Sequence, residues 1–160
     1  MRKRSKYRPK GIIANPVAYV MESLVPVAKH ESYLLDLKIK NSGAMAALFR
    51  GSATRDDMDA LIAMSNITEA LYQLGFGREY GEVCIGGREA IIAITHRATQ
   101  HGRFVPTGTE ITKLNLLMEL HDAQMDVITI KDMERALAYA RQQFATKKGV
   151  TYLPAVKEIK

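Results

Sequence analysis

The sequence holds a single cysteine, Cys84, so no intrachain disulfide can form, and a thiol without a pair fits a reducing compartment. Long apolar runs are missing too. The longest uncharged stretch, Gly11 to Met21, falls well short of the ~20 apolar residues that span a bilayer, which excludes a transmembrane helix. A basic start followed by Ile12, Ile13 and Ala14 faintly imitates a secretory signal, but Asn15 and Pro16 interrupt it and Glu22 closes it, so export is not expected. Strand-type alternation is scarce, and no repeat of solenoid length is visible. What is present is the balance of one ordinary domain: 160 residues, 47% apolar and 25% charged. Domains of this size bury roughly two thirds of their unfolded surface and need neither disulfides nor a structural metal.

The net charge of +6 is unevenly spread. Arg2, Lys3, Arg4, Lys6, Arg8 and Lys10 stand among the first ten residues with no acid, so that segment alone carries +6 and the rest of the chain sums to zero. Residues 147 to 160 carry +3, which leaves residues 11 to 146 at −3. Six like charges repel, and Tyr7 is almost the only apolar side chain among them. Residues 1–15 therefore read as a basic arm, disordered when free. Such an arm suits phosphate, since each neutralised phosphate releases a counterion, and Tyr7 has a ring able to stack on an exposed base. The same run also fits a solvated tail or a segment docking on an acidic protein surface.

From about residue 17 the apolar positions recur at helical spacing. Pro16 stands at a plausible first helical position, and Pro26 ends or kinks the helix that follows. A second segment runs from Ser32 to Gly51, with Asn41, Ser42 and Gly43 as a candidate break. Thr54 reads as an N-cap with Asp56 and Asp57 in the first turn. The helix it opens holds Met58, Leu61, Ile62, Met64, Ile67, Leu71 and Leu74, an apolar arc wide enough for the centre of a bundle. Gly75 and Gly77 stop it. Residues 78 to 100 form the next segment, weakened by Gly86 and Gly87 unless another backbone packs closely there. Gly102 to Pro106 is the clearest loop. Thr107 and Glu110 then have the spacing of a reciprocal capping box, and Thr129 with Asp132 repeats it. The last helix is expected to place Met133, Leu137, Ala140 and Phe144 on one stripe and to stop at Gly149. The expected fold is a single all-α bundle of five or six helices over residues 16–147, followed by an irregular basic tail over 148–160.

Chemistry-bearing clusters are few. His96 and His101 are five apart, off the i, i+4 ledge of a zinc pair, and His121 falls on an apolar stripe as a core histidine. Glu119, Asp122 and Asp126 share a helix face, but a solvated face gives the same pattern and no second acidic cluster is obliged to oppose it, so no metal site is assigned. Cys84, between Val83 and Ile85, reads as an inert buried thiol. Gly75, Gly77 and Gly81 miss the G-x-G-x-x-G spacing and follow a helix where a strand is required. No cofactor is expected, and no catalytic residue is assigned. The set most worth checking for convergence in space is His96, His101, Glu119 and Asp122.

The opening segment from Arg2 to Lys10 and the segment from Ala53 to Ile62 resemble those of short proteins encoded by bacteriophages and prophages of Gram-negative bacteria, a group with no assigned activity. The resemblance runs over most of the chain and attaches to no catalytic or binding motif. It implies the cytoplasm of a bacterial host. The expected function is non-enzymatic and regulatory: association with DNA or RNA through Arg2, Lys3, Arg4, Lys6, Arg8 and Lys10, with Tyr7 against a base. The alternative is a helical adaptor or inhibitor that binds a host protein.

Overall fold

The computed structural model describes residues 20 to 146, apart from residue 22. The whole basic arm, the expected helix start at Pro16, the stop at Gly149 and the tail beyond it lie outside the described residues. Among the described residues five helices form an all-α bundle: α1 (Glu31–Phe49), α2 (Arg55–Gln73), α3 (Gly81–His101), α4 (Gly108–Val127) and α5 (Ile130–Thr146). Single 3-10 turns stand at Val27–Lys29 and Arg78–Tyr80. Pro26, lacking a backbone donor, ends the preceding turn and pairs as an isolated bridge with Thr129; Val27 N–H donates to the Ile128 carbonyl at 2.9 Å and Ile130 N–H to the Val25 carbonyl at 3.0 Å.

Local chemistry sets the helix ends. Thr54 and Thr107 each close a capping box, with Asp57 and Glu110 respectively. Thr129 and Asp132 make the same reciprocal bonds before α5. At the other ends, Gly51 (φ 71°) and Gly75 (φ 106°) take the left-handed conformation, and paired backbone bonds of the Schellman type follow, Ser52 to Ala47 and Phe76 to Leu71, both 3.0 Å.

α2 packs against all four other helices, as its wide apolar arc requires. The core has two parts. One gathers Ala44, Met45 and Leu48 of α1, Met58, Leu61 and Met64 of α2, Ile91 and Ile94 of α3, and Leu114 and Leu117 of α4. The other gathers Val27, Leu34, Ala70, Leu71, Met125, Ile128, Met133 and Ala136. Each fully buried Leu or Ile contributes about 1.5–3 kcal/mol relative to exposure. An Arg88–Glu69 ion pair at 2.7 Å ties α3 to α2 at the rim.

Three local expectations are corrected. α1 runs unbroken through Asn41, Ser42 and Gly43, because buried side chains on both sides of them, Leu34 before and Met45 and Leu48 after, hold one helix against the core. α3 is also continuous through Gly86 and Gly87, and the group packed on Gly87 is the Leu117 side chain rather than a backbone. On α5, Ala136 is buried where Phe144 was expected, and Phe144 is 58% exposed because that end of α5 extends past the second cluster.

Candidate functional site

Between the two apolar clusters lies a polar layer. On α1 it is Asn41, on α2 Ser65 and Thr68, and on α4 His121 and Gln124, all buried and each flanked along its helix by residues of the two clusters. The Thr68 hydroxyl lies 2.9 Å from the Met64 carbonyl and 3.1 Å from His121 Nδ1. The Gln124 amide donates to the Thr68 carbonyl at 3.2 Å and to the Phe76 carbonyl at 3.0 Å, tying α4 to the end of α2. Burial, helped by the charge of Lys38, pushes the His121 pKa down to about 4. The layer is closed to solvent, so His121 acts as the core histidine its stripe indicated.

A concavity open to solvent lies elsewhere, at the corner between α3 and α4. A groove of about 580 Å³ is lined by Arg97, His101, Arg103, Val105, Pro106 and Thr107. The loop Gly102–Pro106 shapes it: Gly102 (φ 71°) ends α3 in the left-handed conformation, and buried Phe104 anchors the loop to the core. Arg97 is held in place, with its guanidinium bridging both Glu110 oxygens, one at 2.9 Å, and donating to the Val105 carbonyl at 3.1 Å. Burial raises the Glu110 pKa, but bonds from Arg97 and Thr107 outweigh it and hold the carboxyl below its ordinary value. Arg97 is thereby largely neutralised. Arg103 and His101, both exposed, are the donors left to face a ligand. Such a groove offers the Arg103 guanidinium and the His101 ring as donors for an anion beside the apolar surface of Val105 and Pro106, an arrangement suited to phosphate next to a planar ring.

A second groove, of about 320 Å³, is mostly apolar and is lined by Val27, His30, Tyr33, Ile130, Met133 and Glu134.

Of the four residues singled out for convergence, only His101 lines the corner groove. His96 is exposed on α3. Glu119 and Asp122 lie nine and twelve residues past Glu110 along α4, about 14 and 18 Å away at 1.5 Å per residue. Asp122 is half-buried, and its pKa is raised by burial, with Lys38 opposing and Asp126 adding to the rise. Asp126 pairs with Lys38 at 3.8 Å. Among the described residues no group of three His, Cys, Asp or Glu is placed to hold a metal ion, and no helix is long and apolar enough to cross a membrane. Cys84 is buried, and burial pushes its pKa up to about 11, with Glu69 adding to the rise.

The groove itself went unread in the sequence. Arg97 meets Glu110 across an intervening loop, and no local spacing announces such a pairing. Compared with protein-family models, with curated proteins and with solved structures, the chain finds no match.

Proposed function

We propose that the protein is a non-enzymatic, nucleic-acid-associated protein. The observation that carries this reading is the concentration of Arg2, Lys3, Arg4, Lys6, Arg8 and Lys10 in ten residues without an acid, beside a remainder of no net charge. That segment supplies affinity through phosphate neutralisation, and Tyr7 supplies a stacking ring. The corner groove adds support, since Arg103 presents a guanidinium there, with His101 beside it, on a body that is otherwise slightly acidic. The expected setting, which the resemblance to phage-encoded proteins implies, is the cytoplasm of a bacterial host.

The test is a titration of labelled DNA and RNA across a salt series with the full chain and with a chain lacking residues 1 to 10. Six phosphate contacts predict a slope of log K against log salt near −5 on duplex DNA. The shortened chain should lose most of that slope. Equal binding by both chains, or none by either at low salt, overturns the reading.

A further inference from the structure

α1 buries Leu34, Asn41, Ala44, Met45 and Leu48 and carries a second row facing outward: Leu35, Ile39, Ser42, Ala46 and Phe49. Leu35 is 59% exposed, Ile39 61% and Phe49 40%. The row advances by four and three residues in turn, the spacing of a seam between two packed helices. Its two ends, Leu35 and Phe49, are large, and small Ser42 and Ala46 stand opposite large Ile39 about its middle. Laid antiparallel on itself, it sets Leu35 against the Phe49 of a second copy, Ile39 against the second Ala46, and Ser42 against the second Ser42.

The flanking charges agree with that orientation. Asp36 and Arg50 are both exposed, stand at equal separations on either side of Gly43, and make no ion pair with each other or with another described residue. Antiparallel pairing brings Asp36 to the second copy's Arg50 at both ends, whereas parallel pairing would set like charges together. Gly43 gives an independent sign. Glycine is a poor helix former, yet a Cβ added at Gly43 would meet no atom of the described residues within 4 Å, so no packing among them calls for it. A second helix backbone passing close to Gly43 would call for it.

We propose that this face of α1 binds a second copy of the chain in antiparallel orientation, centred on Ser42 and Gly43. The seam is about 21 Å long at 1.5 Å per residue. One helix pair buries less than the ~1,200–2,000 Å² of a standard interface, so the dimer is weak and reversible.

Sedimentation of the full chain, freed of nucleic acid by nuclease, tests this independently of any role for the basic segment. The expected result is a monomer–dimer equilibrium with Kd in the micromolar range, roughly −8 kcal/mol. Ile39→Glu should raise Kd by about tenfold or more, since it buries a charge in the seam. Asp36→Arg should weaken the dimer, and adding Arg50→Asp should restore it. Under mild oxidation Ser42→Cys should cross-link and Leu35→Cys should not, because antiparallel pairing holds the two copies of residue 35 about 20 Å apart, beyond disulfide reach. Every substituted position is solvent-exposed, and circular dichroism should show the helices intact. A monomer at all concentrations up to about 1 mM, a dimer indifferent to Ile39→Glu, or cross-linking through residue 35 instead of 42 overturns the proposal.

Discussion

Thr68 and His121 fix each other's protons. The Thr68 hydroxyl has one hydrogen and lies 2.9 Å from the Met64 carbonyl, which can only accept; giving its proton there leaves the oxygen free to accept from His121 Nδ1–H at 3.1 Å. The opposite tautomer would bury an unpaired Nε2–H, because Nε2 has no hydrogen-bond partner. His121 is therefore neutral, protonated on Nδ1, and carries its bare lone pair on Nε2. Of the polar layer's side chains between the two apolar clusters, it is the titratable one.

The first prediction concerns pH. His121 titrates near 6.5 when unfolded and near 4 when folded, so between those values the unfolded chain binds the extra proton and stability falls as pH falls. The loss begins below about pH 6.5 and is complete near pH 4, where the 2.5-unit difference amounts to about 3 kcal/mol. His121→Gln keeps a donor for Thr68 but cannot titrate. Urea unfolding at a series of pH values should show a flatter curve for this variant over that window. Parallel curves for the two proteins would mean that His121 is not the titrating group.

A second prediction separates two capping boxes that look alike in the sequence. Thr54→Ala removes a cap made with Asp57 alone and should cost about 1 kcal/mol. At α4, Glu110 both closes the cap with the Thr107 N–H at 2.8 Å and holds Arg97. Glu110→Ala should therefore cost about 2 kcal/mol, more than Thr107→Ala. A double-mutant cycle on Arg97 and Glu110 should return a coupling below about 1 kcal/mol, because the Arg97 side chain is a third exposed. No coupling at all would mean that Arg97 does not brace the corner groove.

The caps at Thr107 and Thr129 were legible because each is a bond between residues three apart, and the sequence prints that spacing; Thr54 was legible as an N-cap from its residue type and the acids that follow it. The loop at Gly102–Pro106 and the wide arc of α2 were legible for the same reason, being local in composition or period. α1 was misread at Asn41–Gly43 because propensity there favours a break, while Leu34, Met45 and Leu48 fix the helix through contacts with distant segments. The polar layer and the groove share that character. His121 with Thr68 is separated by 53 residues and Arg97 with Glu110 by 13, and neither separation is marked by a motif.

Cys84 supplies a third test. Its sulfur is buried, and its pKa of about 11, against an ordinary 9.0, leaves roughly a hundredfold less thiolate at neutral pH. A thiol reagent should label the native protein at least a hundredfold more slowly than a free thiol. Labelling should rise with unfolding across a urea series. Native-state labelling at the free-thiol rate would show that α3 opens on its own.

The last prediction sets two adjacent glycines against each other. Gly86 and Gly87 both lie inside α3, where replacing glycine by alanine favours the helix by about 1 kcal/mol. A Cβ at Gly86 would touch only the aliphatic part of Lys113, at 3.6 Å and beyond, which is ordinary contact. Gly86→Ala should accordingly stabilise the protein by up to about 1 kcal/mol. A Cβ at Gly87 would stand 2.6 Å from Leu117 Cδ2 and 2.9 Å from Leu117 Cβ. The Cβ atom moves only with its backbone, so α4 itself would have to retreat from α3, and Leu117 is fully buried in the main cluster. Overpacking of this kind costs about 1–3 kcal/mol, which outweighs the gain in helix propensity. Thermal unfolding should therefore move up for Gly86→Ala and down for Gly87→Ala. If both variants are stabilised, α3 and α4 are not in the close contact that places the groove's Arg97 against Glu110.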